Sequence, residues 1–203
     1  MKLHSSCNQY ILALFCLGVL FIGGCSNRNV PASVADWHEH KDGNLVCKLP
    51  RKPQMQSHKI DHPLLGKIDF KIYLCEISRD SGLMVSNATY PISPDAYDAR
   101  AGLEGATEGM ASNIKGKIES KTNIKHKSLE GREVVVSAPN NLFAKARIYI
   151  DANGPTLYQF QAIGKKSFLD DKVVTDFFDS IDIKPMEKSK PSGSKKLKGG
   201  FEK

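Results

Sequence analysis

No stretch of this chain is apolar for long enough to cross a bilayer as a helix. The apolar run Tyr10 to Ile22 has 13 residues, where about 20 are needed. Zinc and thioredoxin-type cysteine spacings are missing too, because the five cysteines stand far apart at positions 7, 16, 25, 47 and 75. There is no Gly-x-Ser-x-Gly elbow, His-Glu-x-x-His helix, phosphate-binding glycine loop or dinucleotide fingerprint. The sequence therefore predicts no catalytic residue, no cofactor and no metal. A broad excess of one charge is also lacking: residues 25–183 hold 21 Lys and Arg against 20 Asp and Glu, which gives no footprint for specific nucleic-acid binding. The basic pI, about 9.1, comes from residues 184–203, where seven lysines face only Glu187 and Glu202.

The start of the chain is the most informative part. Lys2 supplies a positive charge, the 13-residue run follows, and Ile22-Gly23-Gly24-Cys25 closes it with small residues before a cysteine. That ending resembles the lipobox of bacterial lipoproteins. The resemblance implies cleavage between Gly24 and Cys25, a diacylglyceryl group on the Cys25 sulfur and a fatty acyl group such as palmitate on the new amino terminus. Ser26 follows in place of an aspartate, which in lipoproteins of two-membrane bacteria implies passage to the outer membrane. The organisation read from this is a signal peptide (1–24), a lipidated tether (25–41), one domain (42–184) and a basic tail (185–203) with too few apolar residues to repay its ordering. After cleavage and lipidation, only Cys47 and Cys75 remain as thiols, and in an oxidising compartment an even remainder favours a disulfide. The alternative is two inert buried thiols, because alternation sets Cys47 with Leu45 and Leu49 but Cys75 with Tyr73 and Ile77.

Periodicity predicts an α+β domain. Strand patterns run over residues 44–49, 67–77 and 83–90, and the four-residue turn Arg79-Asp80-Ser81-Gly82 is compatible only with an antiparallel connection. Ser93-Pro94-Asp95 reads as a helix start. Ala99, Leu103, Ala106, Met110 and Ile114 then form an apolar stripe ending near Gly116. Gly102, Gly105 and Gly109 weaken that helix by about 1 kcal/mol each, and close approach to a sheet is the expected reason. Strand patterns resume over 118–124, 132–138, 144–151 and 156–163, with a hairpin signal at Ala152-Asn153-Gly154-Pro155. A second helix, Leu169 to Asp179, and a short strand, Ile181 to Ile183, close the domain.

Several local pieces carry a resemblance: Asn44 to Pro50, the strand ending Asn87-Ala88-Thr89-Tyr90-Pro91, the junction Leu129 to Val136, Ala146 to Ile150, Leu157-Tyr158, and Asp176 to Ser180. Their order resembles uncharacterised bacterial secreted proteins with a fold similar to the PsbP-like extrinsic proteins of photosystem II. The resemblance covers roughly residues 42–184 and implies an antiparallel sheet of six to seven strands, with a long helix after the third strand and a C-terminal helix. It implies no chemistry, because no family ligand residue can be matched.

The histidines and the charged pairs are the candidates for chemistry. His38-Glu39-His40 offers two imidazoles and a carboxylate, and His58, Asp61 and His62 have a spacing that binds metal on a helix. Pro63 opposes that helix, so both sets read as decoration of hydrated loops, and His126 among its lysines reads as surface. Arg132 and Glu133 read as a strand-edge ion pair worth under about 1 kcal/mol. Asn87 to Thr89 matches a glycosylation sequon by chance. The function expected is that of a non-catalytic outer-membrane lipoprotein facing the periplasm, bound to membrane through Cys25 and acting on a protein or envelope partner. The alternatives are an envelope enzyme assembled only in three dimensions, or a lysine tail that meets anionic surfaces.

Overall fold

The structure is a computed structural model describing residues 30–62 and 66–187. Cys25, the signal segment and the tail from residue 188 lie outside the described residues. The elements in order are β1 (His38–Asp42), β2 (Leu45–Leu49), β3 (Gln54–His62), β4 (Gly66–Ser78), β5 (Ser81–Thr89), α1 (Ala99–Asn113), β6 (Lys117–His126), β7 (Leu129–Ala138), β8 (Leu142–Asp151), β9 (Thr156–Gly164), α2 (Lys166–Leu169), α3 (Lys172–Asp179) and β10 (Asp182–Ile183). Seven strands form one sheet in the order β3-β4-β5-β9-β8-β7-β6, and β1-β2-β10 form a second. Every pairing in both sheets is antiparallel.

The large sheet is covered on both faces, so the strands bury residues of both parities. On one face Tyr73, Cys75, Leu83, Val85, Tyr158 and Phe160 meet Leu45, Cys47 and Leu49 of the small sheet and Val174, Phe177 and Phe178 of α3. On the other, Ile68, Phe70, Val134, Val136 and Ile148 meet Leu103, Ala106 and Met110 of α1. Central β9 is buried at eight of nine positions, which a half-exposed strand of period two never is. The aromatic chain Tyr149–Phe160–Phe177–Phe178, with ring centroids 5.2 to 6.2 Å apart, fills the first core.

Several boundaries differ from the sequence reading. β1 lies within the predicted tether, and Trp37 before it is buried and donates its indole N–H to the Pro31 carbonyl at 3.1 Å. β2 belongs to the small sheet and not to a meander with β4, while β3 was not anticipated: its charged and amide side chains hide a strand paired with β4 throughout. Pro94 starts only a 3-10 turn, Pro94–Ala96. The helix begins at Ala99, where Asp98 accepts the Ala101 N–H at 2.9 Å. The second helix is split, because Asp171 caps α3 by accepting the Val173 N–H at 3.0 Å. On the C-terminal side the fold reaches past residue 184. Asp151 accepts the Met186 N–H at 2.7 Å, and the Asn153 amide donates to the Met186 carbonyl at 2.9 Å.

The glycines divide by function. A Cβ at Gly131 would overlap the Tyr149 ring and stand 2.5 Å from the Ile148 carbonyl oxygen, whereas one at Gly109 would meet nothing within 4 Å. Gly131→Ala should therefore destabilise the domain by roughly 1–3 kcal/mol through overpacking. Gly109→Ala should stabilise it by up to about 1 kcal/mol through helix propensity. Urea unfolding of the two variants checks this; equal effects would contradict the packing described.

Candidate functional site

The densest polar cluster is centred on Asp42, the last residue of β1, where the chain turns at Gly43 with φ of 58°. Its carboxylate accepts from the Lys71 ammonium at 2.8 and 3.1 Å, the Tyr73 hydroxyl at 2.8 Å and the Asn87 amide at 2.7 Å. Lys71 and Tyr73 share one face of β4, and Asn87 stands opposite Lys71 in the β4–β5 register. Burial pushes the Asp42 carboxyl up, but the hydrogen bonds from Lys71, Asn87 and Tyr73, with the Lys71 charge, hold it below the ordinary aspartate value. The same carboxylate, after burial, pushes the Tyr73 phenol far up. His40 lies two residues back on the same strand, with its ring 4.1 Å from Tyr73. It is 6% exposed, its Nε2 has no partner, and burial first of all holds its imidazole below the usual histidine value. The cluster was missed in the sequence, where Asp42-Gly43 reads only as a turn and Asn87 only as a chance sequon. The hairpin turn signals that β4 and β5 pair, but a bulge between Glu76 and Ser78 shifts the register by one residue, so the turn alone does not align Lys71 with Asn87.

Arg132 and Glu133 are not an ion pair with each other. Neighbours on a strand point to opposite faces, and the structure ties each to a different layer. Arg132, 8% exposed, donates to Glu104 of α1 at 2.6 Å and to the Thr107 hydroxyl at 3.4 Å, and Lys121 reaches the same Glu104 at 2.7 Å. Glu133 accepts from Arg147 at 2.9 Å and lies 3.4 Å from Lys145. Arg147 in turn donates to the Phe178 carbonyl at 3.2 Å and lies over the Phe178 ring.

The histidine sets do not lie on hydrated loops. His38, Glu39 and His40 are in β1, and His58 and His62 in β3. Four residues along a strand span about 13 Å, against the 5–6 Å of one helical turn. The spacing that binds metal on a helix is therefore not the spacing of positions 58 and 62 along β3, and among the described residues there is no group of three or more His, Cys, Asp or Glu side chains that could hold a metal ion. His126 is not free on the surface: its Nε2 accepts the Ile183 N–H at 3.2 Å, and its ring meets Tyr149 at 5.7 Å.

Cys47 and Cys75 share one core but are free thiols, so the expected bridge is not formed. They come from two sheets packed face to face, a spacing of about 10 Å, where a disulfide needs Cα atoms within about 6.8 Å. Burial, and then the neighbouring Cys75, pushes the Cys47 thiol up to about 12. A shallow groove of about 350 Å³ lies between the outer side of the small sheet and α3, lined by Glu39, Lys48, Asp176 and Asp179. Lys41 pairs with Glu39 at 2.6 Å and Lys172 with Asp176 at 2.6 Å. Among the described residues no helix is long and apolar enough to cross a membrane.

Solved structures that resemble this one include the following two. The solution structure of cyanobacterial PsbP (CyanoP) from Synechocystis sp. PCC 6803 superposes with a TM-score of 0.50 at 12% identity, covering 80% of this chain and 99% of that one. The crystal structure of PA94 from Pseudomonas aeruginosa, a protein of unknown function described as a putative regulator, gives a TM-score of 0.34 at 8% identity, covering 66% of this chain and 86% of that one. The first shows a PsbP-like fold; the second is too distant to carry any argument. No family model and no curated protein matches the sequence.

Two measurements check the site. A histidine held neutral makes the folded state bind fewer protons than the unfolded state, so stability should fall as pH drops below about 6.5. The depressed Asp42 carboxyl contributes stability that is present above its unfolded value of 3.8 and lost as pH falls through its folded value. His40→Phe should flatten the first limb of the stability–pH curve and leave the second; an unchanged profile would show that His40 is not held neutral by the fold. Second, alkylation without reductant should label neither cysteine of the folded domain and both after unfolding, whereas a mass two protons lower with no labelling would establish the bridge.

Proposed function

We propose that the chain is an outer-membrane lipoprotein facing the periplasm, held through lipid on Cys25, whose domain binds a protein or envelope partner and performs no chemistry of its own. The observation that supports the binding reading is how the interior charges are used. Asp42 is saturated by Lys71, Tyr73 and Asn87, Arg132 is committed to Glu104, Glu133 to Arg147, and Asp151 to the backbone N–H groups of Asn153 and Met186. A general acid or base must turn a hydrogen-bonding face towards substrate, and these groups turn theirs towards other layers of the same domain. The lysines beyond residue 187 add an attraction to anionic surfaces of about 1 kcal/mol each near such a surface.

Cys25→Ser should move the protein from membrane to soluble fractions and abolish labelling by fatty acid. Unchanged fractionation with labelling retained would overturn the lipid-anchor reading. Crosslinking in intact cells should recover a partner, and the crosslink should be lost when exposed residues on one sheet edge are changed without unfolding. Turnover of an envelope substrate, lost on a single polar substitution, would replace binding with catalysis.

A further inference from the structure

We propose that the end of the large sheet from which the amino-terminal tether leaves is a docking face for the headgroups of an anionic phospholipid bilayer. The inference rests on the lipid-anchor reading of Cys25 and names the surface that the anchor brings to the membrane. The register sets out the face. Ser78 stands opposite Ser81, Gly82 opposite Ile163, Gly164 opposite Phe143, and Ser137 opposite both Phe143 and Lys117. The β4–β5 turn, the end of β9 with the start of α2, the β7–β8 turn and the start of β6 therefore lie side by side. At the spacing of neighbouring strands, β5 to β6 covers about 20 Å. A Cβ at Gly164 would stand 3.0 Å from that of Ser81, so β9 ends directly beside the start of β5.

This row carries Arg79, Lys115, Lys117, Lys165 and Lys166, all exposed. Among the described residues none of the five joins an ion pair, whereas Lys71, Lys121, Arg132 and Arg147 elsewhere in the fold all do. Of the exposed acids nearby, Glu119 accepts from the Ser137 hydroxyl and Asp171 caps α3. Asp36, Asp80 and Asp170 are left against the five cations. Cations with no partner in the fold keep their charge available to an outside anion.

The short stretch of chain before Val30 identifies the occupant. β1 begins at His38, opposite Leu49 of β2. Two residues after Leu49, the Arg51 guanidinium donates to the Glu76 carbonyl at 2.7 Å, close to the end of β4. Trp37 therefore stands at this end of the sheet, and its indole N–H holds the Pro31 carbonyl at 3.1 Å. Val30 packs against the same core as Ile77 and Phe168. Cys25 is five positions before Val30, and five residues reach at most about 18 Å. The other end of the sheet lies about 30 Å away, along strands of nine and ten residues, beyond that reach. Lipid on Cys25 thus keeps this end against the bilayer, and each unpaired cation beside anionic lipid strengthens the contact about fivefold. Met186 is held by Asp151 and Asn153 at the β8–β9 turn, so the lysines beyond residue 187 start from the opposite end.

The test places a small diazirine-bearing residue in the full chain in intact cells, either at exposed Ser167 beside Lys166 or at exposed Ala152 in the β8–β9 turn. Mass spectrometry of the adducts follows irradiation. Ser167 should give phospholipid adducts enriched in anionic headgroups, and Ala152 none. Arg79→Gln with Lys117→Gln should weaken the seating at Ser167 by about thirtyfold, two charges at about fivefold each, and Arg79→Lys with Lys117→Arg should restore it. Lys67→Gln with Lys184→Gln at the other end, or deletion of residues 188–203, should leave the yield unchanged. A yield unmoved by Arg79→Gln with Lys117→Gln, equal lipid adducts at the two positions, or a polypeptide adduct at Ser167 would overturn the inference. Failure of the anchor reading shows separately in the same samples, as an amino-terminal peptide without acyl groups, and would remove this inference with it.

Discussion

Where the central strands of the large sheet are covered on both faces there is no solvent side, and a charged residue that alternation places there is costly unless it finds a partner in the layer above or below. β7 shows the consequence within two residues. Arg132 reaches up to Glu104 on α1, and Glu133 reaches down through Arg147 to the end of α3. The layers are fixed laterally by these ties, while dispersion and burial around Phe160, Phe177, Ile148 and Val136 supply the bulk of the adhesion. The same charges that would attract notice as catalytic candidates are thereby used in assembling the fold.

Asp42 performs the equivalent task for the small sheet. One carboxylate at the end of β1 gathers a lysine, a phenol and an amide from β4 and β5, so β1 cannot slide along the large sheet without leaving buried donors unpaired. His40 shares this region as an imidazole with an unsatisfied nitrogen, which makes the contact between the two sheets sensitive to acid. Asp151 and Asn153 act likewise at the other end, holding the chain at Met186.

Much of the fold was legible locally, because strand alternation, the turns at residues 79–82 and 152–155, and the 3.6-residue stripe of α1 are properties of short segments. The lipid-attachment reading is equally local, resting on residues 2–26 alone. β3 was hidden because an edge strand keeps amide and charged side chains in water and shows no alternation. The separate sheet of β1 and β2, the unbridged Cys47 and Cys75, the division of Arg132 from Glu133 and the Asp42 cluster all depend on which layer a strand face meets. That choice is made by pairing between residues as far apart as Lys48 and Ser180. Sequence alone determined the period of each element and the turns between them; only tertiary structure decided the partners, because a strand has two equivalent faces and nothing within it says what will cover each.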